Sequence, residues 1–104
     1  MIELATIKTH LRVDHDSEDA LIELYKGAAI EYASEFLNRA IIAKEDDRVT
    51  ESDIVANPAI VAAILLIIGH LYENREQEVI GTISTELKFS AKNLLFPYRI
   101  DLGV

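Results

Sequence analysis

The run Ala59-Ile-Val-Ala-Ala-Ile-Leu-Leu-Ile-Ile68 is apolar at every position and follows directly on Asn57-Pro58. Asn is a preferred helix cap, and Pro suits the first helical position because its missing N–H would have no partner there. The pair predicts the start of a helix that continues to about Arg75. A helix with no polar side needs cover all round, so this one is the expected centre of a small helical domain. The run is well short of the roughly 20 residues that span a bilayer. It leads into His70, Glu73 and Arg75, which favours a buried core over a membrane segment.

Cover for such a helix has to come from few neighbours. With 104 residues a single domain spanning 1–104 is expected, burying roughly 60 to 70% of the surface of its unfolded chain. Ten Lys and Arg face eighteen Asp and Glu, for a net charge of -8. A field of that sign repels phosphate and argues against tight duplex binding by this chain alone. There is no cysteine, which excludes a disulfide scaffold and thiol chemistry. Met-Ile-Glu-Leu at the N-terminus has no basic segment followed by an apolar one, so no signal peptide is expected.

Around the central helix the pattern predicts three more. Leu4, Ile7 and Leu11 recur at helical spacing, giving a first helix of about two turns. In Asp14-His-Asp-Ser-Glu-Asp19, Asp16 or Ser17 can cap a second helix from about Ser17 to Arg39, with Glu18 and Asp19 in its first turn. The same carboxylates invite a calcium reading. No Gly stands at the tight turn, however, and Tyr25 occupies the place of the bidentate Glu, so capping and solvated charge are favoured.

The second helix is amphipathic. Leu21, Tyr25, Ala28, Ala29, Tyr32, Phe36 and Leu37 form one broad face, with Ile22, Leu24 and Ala33 at its edges. Ala28, Ala29 and Ala33 would let the central helix approach closely. Ile30 falls among polar positions and is a candidate subunit contact. Ala40 to Ala43 either prolongs the helix or becomes a short extended piece, and Lys44 to Arg48 reads as an exposed loop. Thr50 and Asp53 resemble a weak capping box, which predicts a turn of helix through Ile54 and Val55.

Beyond the central helix, Gln77 to Glu86 contains the β-prone run Val79 to Thr85 and predicts a short extended loop or hairpin. A last short helix ends near Phe96 before Pro97, starting at Lys88 with Ser90 as a possible cap, or earlier near Thr85. From about Tyr98 an apolar tail follows, suited to docking on its own domain or on a neighbour. The expected fold is all-α, a small bundle of about four helices around a central apolar helix.

Catalytic patterns are absent from the sequence. It holds no Gly-rich phosphate loop, metal-binding His pair, zinc spacing or nucleophile elbow. His70 reads as a hydrogen-bonded helix residue, and His10 and His15 beside Asp14 and Asp16 are the nearest acid–base candidates. No enzyme activity and no cofactor are expected. A binding module needs only surfaces, and apolar surface is plentiful.

Several segments are similar in order and spacing to one known family. His10-Leu-Arg-Val-Asp14, Ala20-Leu-Ile-Glu-Leu24 and Ala28-Ala-Ile-Glu-Tyr32 resemble the N-terminal part of the gp6-like head-tail connectors of tailed phages. Ile64-Leu-Leu-Ile-Ile-Gly-His-Leu-Tyr-Glu-Asn-Arg-Glu76 resembles the family's central helix, and Leu94-Leu-Phe-Pro-Tyr-Arg99 its C-terminal end. Two departures stand out: Glu3 replaces the usual Thr or Ser cap of the first helix, and Leu87-Lys-Phe-Ser90 replaces a common Leu-Pro segment.

The resemblance implies a structural virion adaptor at the head-tail junction, assembled in the host cytoplasm as a ring beneath the capsid portal. Its partners would be further copies of itself, the portal protein and a tail or tail-completion protein, with no membrane. DNA would pass through the channel without specific binding, helped by an acidic wall for which Glu78 and Glu86 are candidates. Tyr72, Arg75, Tyr98, Arg99, Ile100 and Leu102 join Ile30 as interface candidates. The alternatives are a tail-completion or packaging-associated virion protein of similar fold, or a small helical DNA-binding regulator. The last would need a basic recognition face, and Lys8, Arg12 and Lys26 lie among acids.

Overall fold

Asn57 Oδ1 accepts the Ile60 N–H at 2.9 Å, so the central helix begins with the side-chain cap its sequence suggests. This helix, α3 (Pro58–Glu73), belongs to a computed structural model that describes residues 2–73 and 85–100, apart from the side chains of 85–89. Its Ile60, Ala63, Ile64, Ile67, Ile68 and Leu71 are buried. The helices α1 (Leu4–Leu11), α2 (Asp19–Leu37) and α4 (Thr85–Leu95) all pack on it. At Gly69 a Cβ atom would stand 3.3 Å from His10 Nε2, so α1 crosses where α3 has no side chain. Cover is nevertheless not complete. Leu66 is 37% exposed, and Ala62 and Leu65 are only half-buried, because three neighbours leave one strip of the helix open.

Ile7 anchors α1 in the core, with Leu4 and Leu11 beside it. Glu3 caps it without a side-chain hydrogen bond, as the departure at this position suggests. Its C-terminal end turns through Arg12 in the left-handed region, φ 62°. The Arg12 N–H bonds Thr9 O and the Val13 N–H bonds Lys8 O, a Schellman closure that leaves few terminal carbonyls unpaired.

Neither Asp16 nor Ser17 caps α2. The capping position is Glu18, again without a side-chain cap bond. Asp16 instead meets Lys8 Nζ at 2.7 Å, and Asp19 meets it at 2.9 Å. The hydrogen bond from Lys8 holds the Asp16 carboxyl below its usual range, and the cation joins the end of α1 to the start of α2. Tyr72 donates its hydroxyl to Glu18 Oε1 at 2.6 Å. The end of α3 thus lies at the beginning of α2, and the two helices run antiparallel.

The buried side of α2 is rotated from the expected one. Ile22, Ala29, Ala33 and Leu37 are buried, Ile30 is packed against the core, and Ala28 and Leu24 face solvent. Apolar residues occupy most of the circumference of α2, so their spacing alone does not fix which arc is buried. Contact with the isoleucines of α3 decides it, and the small Ala29 and Ala33 lie on that side.

After α2 the chain turns at Asn38, also left-handed at φ 60°, where Asn is tolerated better than most residues. It then forms the strand β1 (Ile41–Ile42), which pairs in parallel with β2 (Ile54–Val55) in the register Ile41–Ile54 and Ile42–Val55. The expected turn of helix at Ile54 and Val55 is therefore absent, because the Ile54 and Ala56 N–H groups bond Ala40 O and Ile42 O instead.

The capping-box contact itself is present. Asp53 accepts the Thr50 N–H at 3.1 Å, the Thr50 hydroxyl at 2.7 Å and the Val49 N–H at 2.8 Å. These bonds hold its carboxyl below the ordinary range. Arg48 closes the same crossover, pairing in a fork with Glu45 and donating to the carbonyls of Thr50, Glu51 and Asp53.

The last helix takes the earlier of the two starts considered, Thr85. Thr85 and Glu86 are thus helical rather than extended, and Ser90 lies inside the helix; 77–84 of the expected loop lie outside the described residues. Ala91 and Leu95 are fully buried, and a 3₁₀ turn over Phe96–Tyr98 contains Pro97.

Replacing Ile64 with Ala should cost about 2–5 kcal/mol, read as a lower urea midpoint at unchanged slope. Asp53 gives a pH signature. Its folded pKa lies below the ordinary 3.8, so its stabilisation is complete above that value and is lost as the pH falls through the folded pKa. Asp53→Asn should melt several degrees below wild type at neutral pH, and the gap should narrow on acidification from about pH 5 to about pH 2.

Candidate interaction surfaces

No group of three or more His, Cys, Asp or Glu side chains that could hold a metal occurs among the described residues. None of the described helices is long and apolar enough to cross a membrane. What the fold offers is surface. Among the described residues four large apolar side chains are exposed: Leu24 at 67%, Val49 at 88%, Leu66 at 37% and Phe96 at 61%. They stand on α2, on the crossover between β1 and β2, on α3 and on the turn after α4.

Leu24 lies on the far side of α2 from Ile22, Ala29 and Ala33, among the exposed Ala20, Gly27, Ala28 and Glu31. Val49 is placed by the Asp53 and Arg48 hydrogen bonds, which fix the backbone on both sides of it. It projects from a segment in which Glu45, Asp46, Asp47 and Glu51 are all exposed.

A contrasting face surrounds Phe36 near the end of α2. Arg99 lies over its ring at 5.0 Å and Lys92 at 5.4 Å, distances at which a cation is attracted to the ring. Arg99 Nε also donates to Phe36 O at 2.9 Å. Tyr32, Glu35, Phe36 and Lys92 line a shallow groove of about 300 Å³, and burial raises the Tyr32 phenol above its ordinary pKa. Arg39 extends the basic side, donating to Ser52 O at 2.6 Å and Tyr98 O at 3.1 Å.

The residues singled out from sequence fare unevenly. Ile30 does not stand alone on a polar face but packs at the edge of the core. Tyr72 is half-buried, with its hydroxyl committed to Glu18. Tyr98, Arg99 and Ile100 come together against their own α2. Ile100 receives the Asn38 Nδ2 donor at 2.8 Å and bonds Leu37 O through its N–H at 2.9 Å. Arg75, Glu78 and Leu102 lie outside the described residues. Glu86 is on α4, and its side chain is likewise outside them.

Sequence reasoning missed Leu24, Val49, Leu66 and Phe96 as exposed positions. For Phe96 a hint existed, since a helix that turns Ala91, Leu94 and Leu95 inward ends with the next side chain pointing away. An apolar Val directly after the charged run ending at Arg48 was the corresponding hint for Val49.

The model of the phage gp6-like head-tail connector proteins matches residues 1–99. The crystal structure of bacteriophage HK97 gp6 superimposes with a TM-score of 0.66 over 95% of this chain and 93% of that one. At 23% identity that likeness speaks for the fold. No curated protein sequence matches the chain. A helical fold shared with HK97 gp6 and a family match over nearly the whole length lead to one assignment: the chain belongs to the phage gp6-like head-tail connector family, whose members are structural proteins of the virion.

Proposed function

We propose that this protein, acting as a single domain, forms a ring beneath the capsid portal, joins the head to the tail and helps retain packaged DNA. The observation that carries this reading is the connector-family match over residues 1–99. Its partners are further copies of itself, the portal protein and a tail or tail-completion protein.

Two physical features support it. A closed ring needs a heterologous interface, in which one surface of a subunit meets a different surface of the next. Exposed apolar side chains on separate elements, Leu24, Val49, Leu66 and Phe96, supply distinct patches of that kind. A net charge of -8 also offers few cations to displace the counterions of DNA, so a duplex can move past without adhering.

Light scattering across a range of concentration, with and without the portal protein of the same genome, tests the proposal. The expected result is a closed multiple of the subunit mass, either alone or once portal is added. A monomer in both conditions, with no portal association, would overturn it.

A further inference from the structure

Among ten Lys and Arg residues in an acidic chain, Arg39, Lys92 and Arg99 gather around the end of α2, two of them over the Phe36 ring. The crossover, whose Ser52 O accepts from Arg39 at 2.6 Å, presents the reverse arrangement. Val49, 88% exposed, stands among the exposed carboxylates Glu45, Asp46, Asp47 and Glu51.

We propose that the crossover of one copy docks on the next, seating Val49 in the groove lined by Tyr32, Phe36 and Lys92. This deepens the ring reading and rests on it.

Three features favour a second copy as the occupant. The first is charge. The groove is flanked by Lys92 and Arg99 in a chain of net charge -8, and the crossover, with Lys44 and with Arg48 paired to Glu45, brings the further exposed carboxylates Asp46, Asp47 and Glu51 to meet them; complementary potentials of this kind fix register between partners. Glu35 also lines the groove, so the carboxylates of the incoming loop are directed to the Lys92 and Arg99 side, away from Glu35.

The second is preorganisation. The Asp53 carboxylate and the Arg48 guanidinium already hold the backbone around Val49, so little chain freedom is lost on docking. The third is size, since a groove of about 300 Å³ has room for a Val side chain and the backbone on either side. The Val49 crossover and the groove are different surfaces of one chain, so a docked pair still has one of each unoccupied. The contact propagates until rotation closes it.

The absence of native cysteine makes cross-linking a direct test. Full-length Val49→Cys/Glu35→Cys protein is oxidised mildly under conditions where the wild type assembles, with portal present if assembly needs it, and run on a non-reducing gel. The expected result is a ladder of covalent multimers from the double variant, with Val49→Cys alone giving at most dimers. Separately, Val49→Asp should keep the wild-type melting temperature, because the side chain faces solvent, while requiring at least tenfold higher concentration to assemble.

A ring that forms normally but gives no ladder, or a Val49→Asp variant that assembles like wild type, would overturn this joint and leave the ring standing. So would a variant whose ring is intact but which loses portal, since the loop would then belong to a different contact. Failure of the wild type to assemble in either condition would overturn the ring and the joint together.

Discussion

Burial of the isoleucine-rich side of α3 is the constraint to which the other elements answer. Ile60, Ile64, Ile67 and Ile68 are fully enclosed, and each such side chain gains about 1.5–3 kcal/mol from leaving water. No single neighbouring helix could supply that cover. α1 contributes Ile7 and crosses at Gly69, α2 contributes Ile22, Ala29, Ala33 and Leu37, and α4 contributes Ala91 and Leu95. Polar contacts then fix how these pieces meet. Lys8 joins α1 to α2, Tyr72 joins α3 to α2, and Asn38 and Arg39 join the end of α2 to the C-terminal segment.

The start of α3 was legible in the sequence because capping is local. Asn57 and Pro58 act within one turn of themselves, and an unbroken apolar run has only one sensible place in a small domain. The orientation of α2 was not legible, since Leu21, Ile22, Leu24, Tyr25, Ala28, Ala29 and Ile30 spread over about two thirds of the circumference, wider than the arc the core can cover. Strands of two residues are too short to show an alternation, so β1 was one of two open readings of Ala40 to Ala43 and β2 stayed hidden, while the Thr50–Asp53 contact beside them was visible. Ile30 and Leu24 exchanged roles for the same reason: a rotation of the helix by about a quarter turn moves one to the core edge and the other to the surface.

The surfaces were harder to read than the core. Fold stability depends on many apolar contacts acting together, and these leave a periodic trace in the sequence. A docking patch can consist of one side chain held outward by hydrogen bonds elsewhere, as Val49 is held by Asp53 and Arg48. The groove beside Phe36 depends on Tyr32 and Lys92 from two helices far apart in the chain. The family's motifs located the core helices and the Leu-Leu-Phe-Pro-Tyr-Arg end, which contains Phe96. They did not indicate which of its side chains turn outward.

The contacts at the end of α2 join residues 59 to 63 positions apart in the chain. Asn38, Arg39, Leu37 and Phe36 together grip the main chain or side chains of Tyr98, Arg99 and Ile100. A pull on Ile100 would have to break these bonds before it reached α4. The same grip ties α2, the crossover, α3 and α4 into a closed mechanical circuit. A load entering at the C-terminus is thereby passed directly to the longest helix.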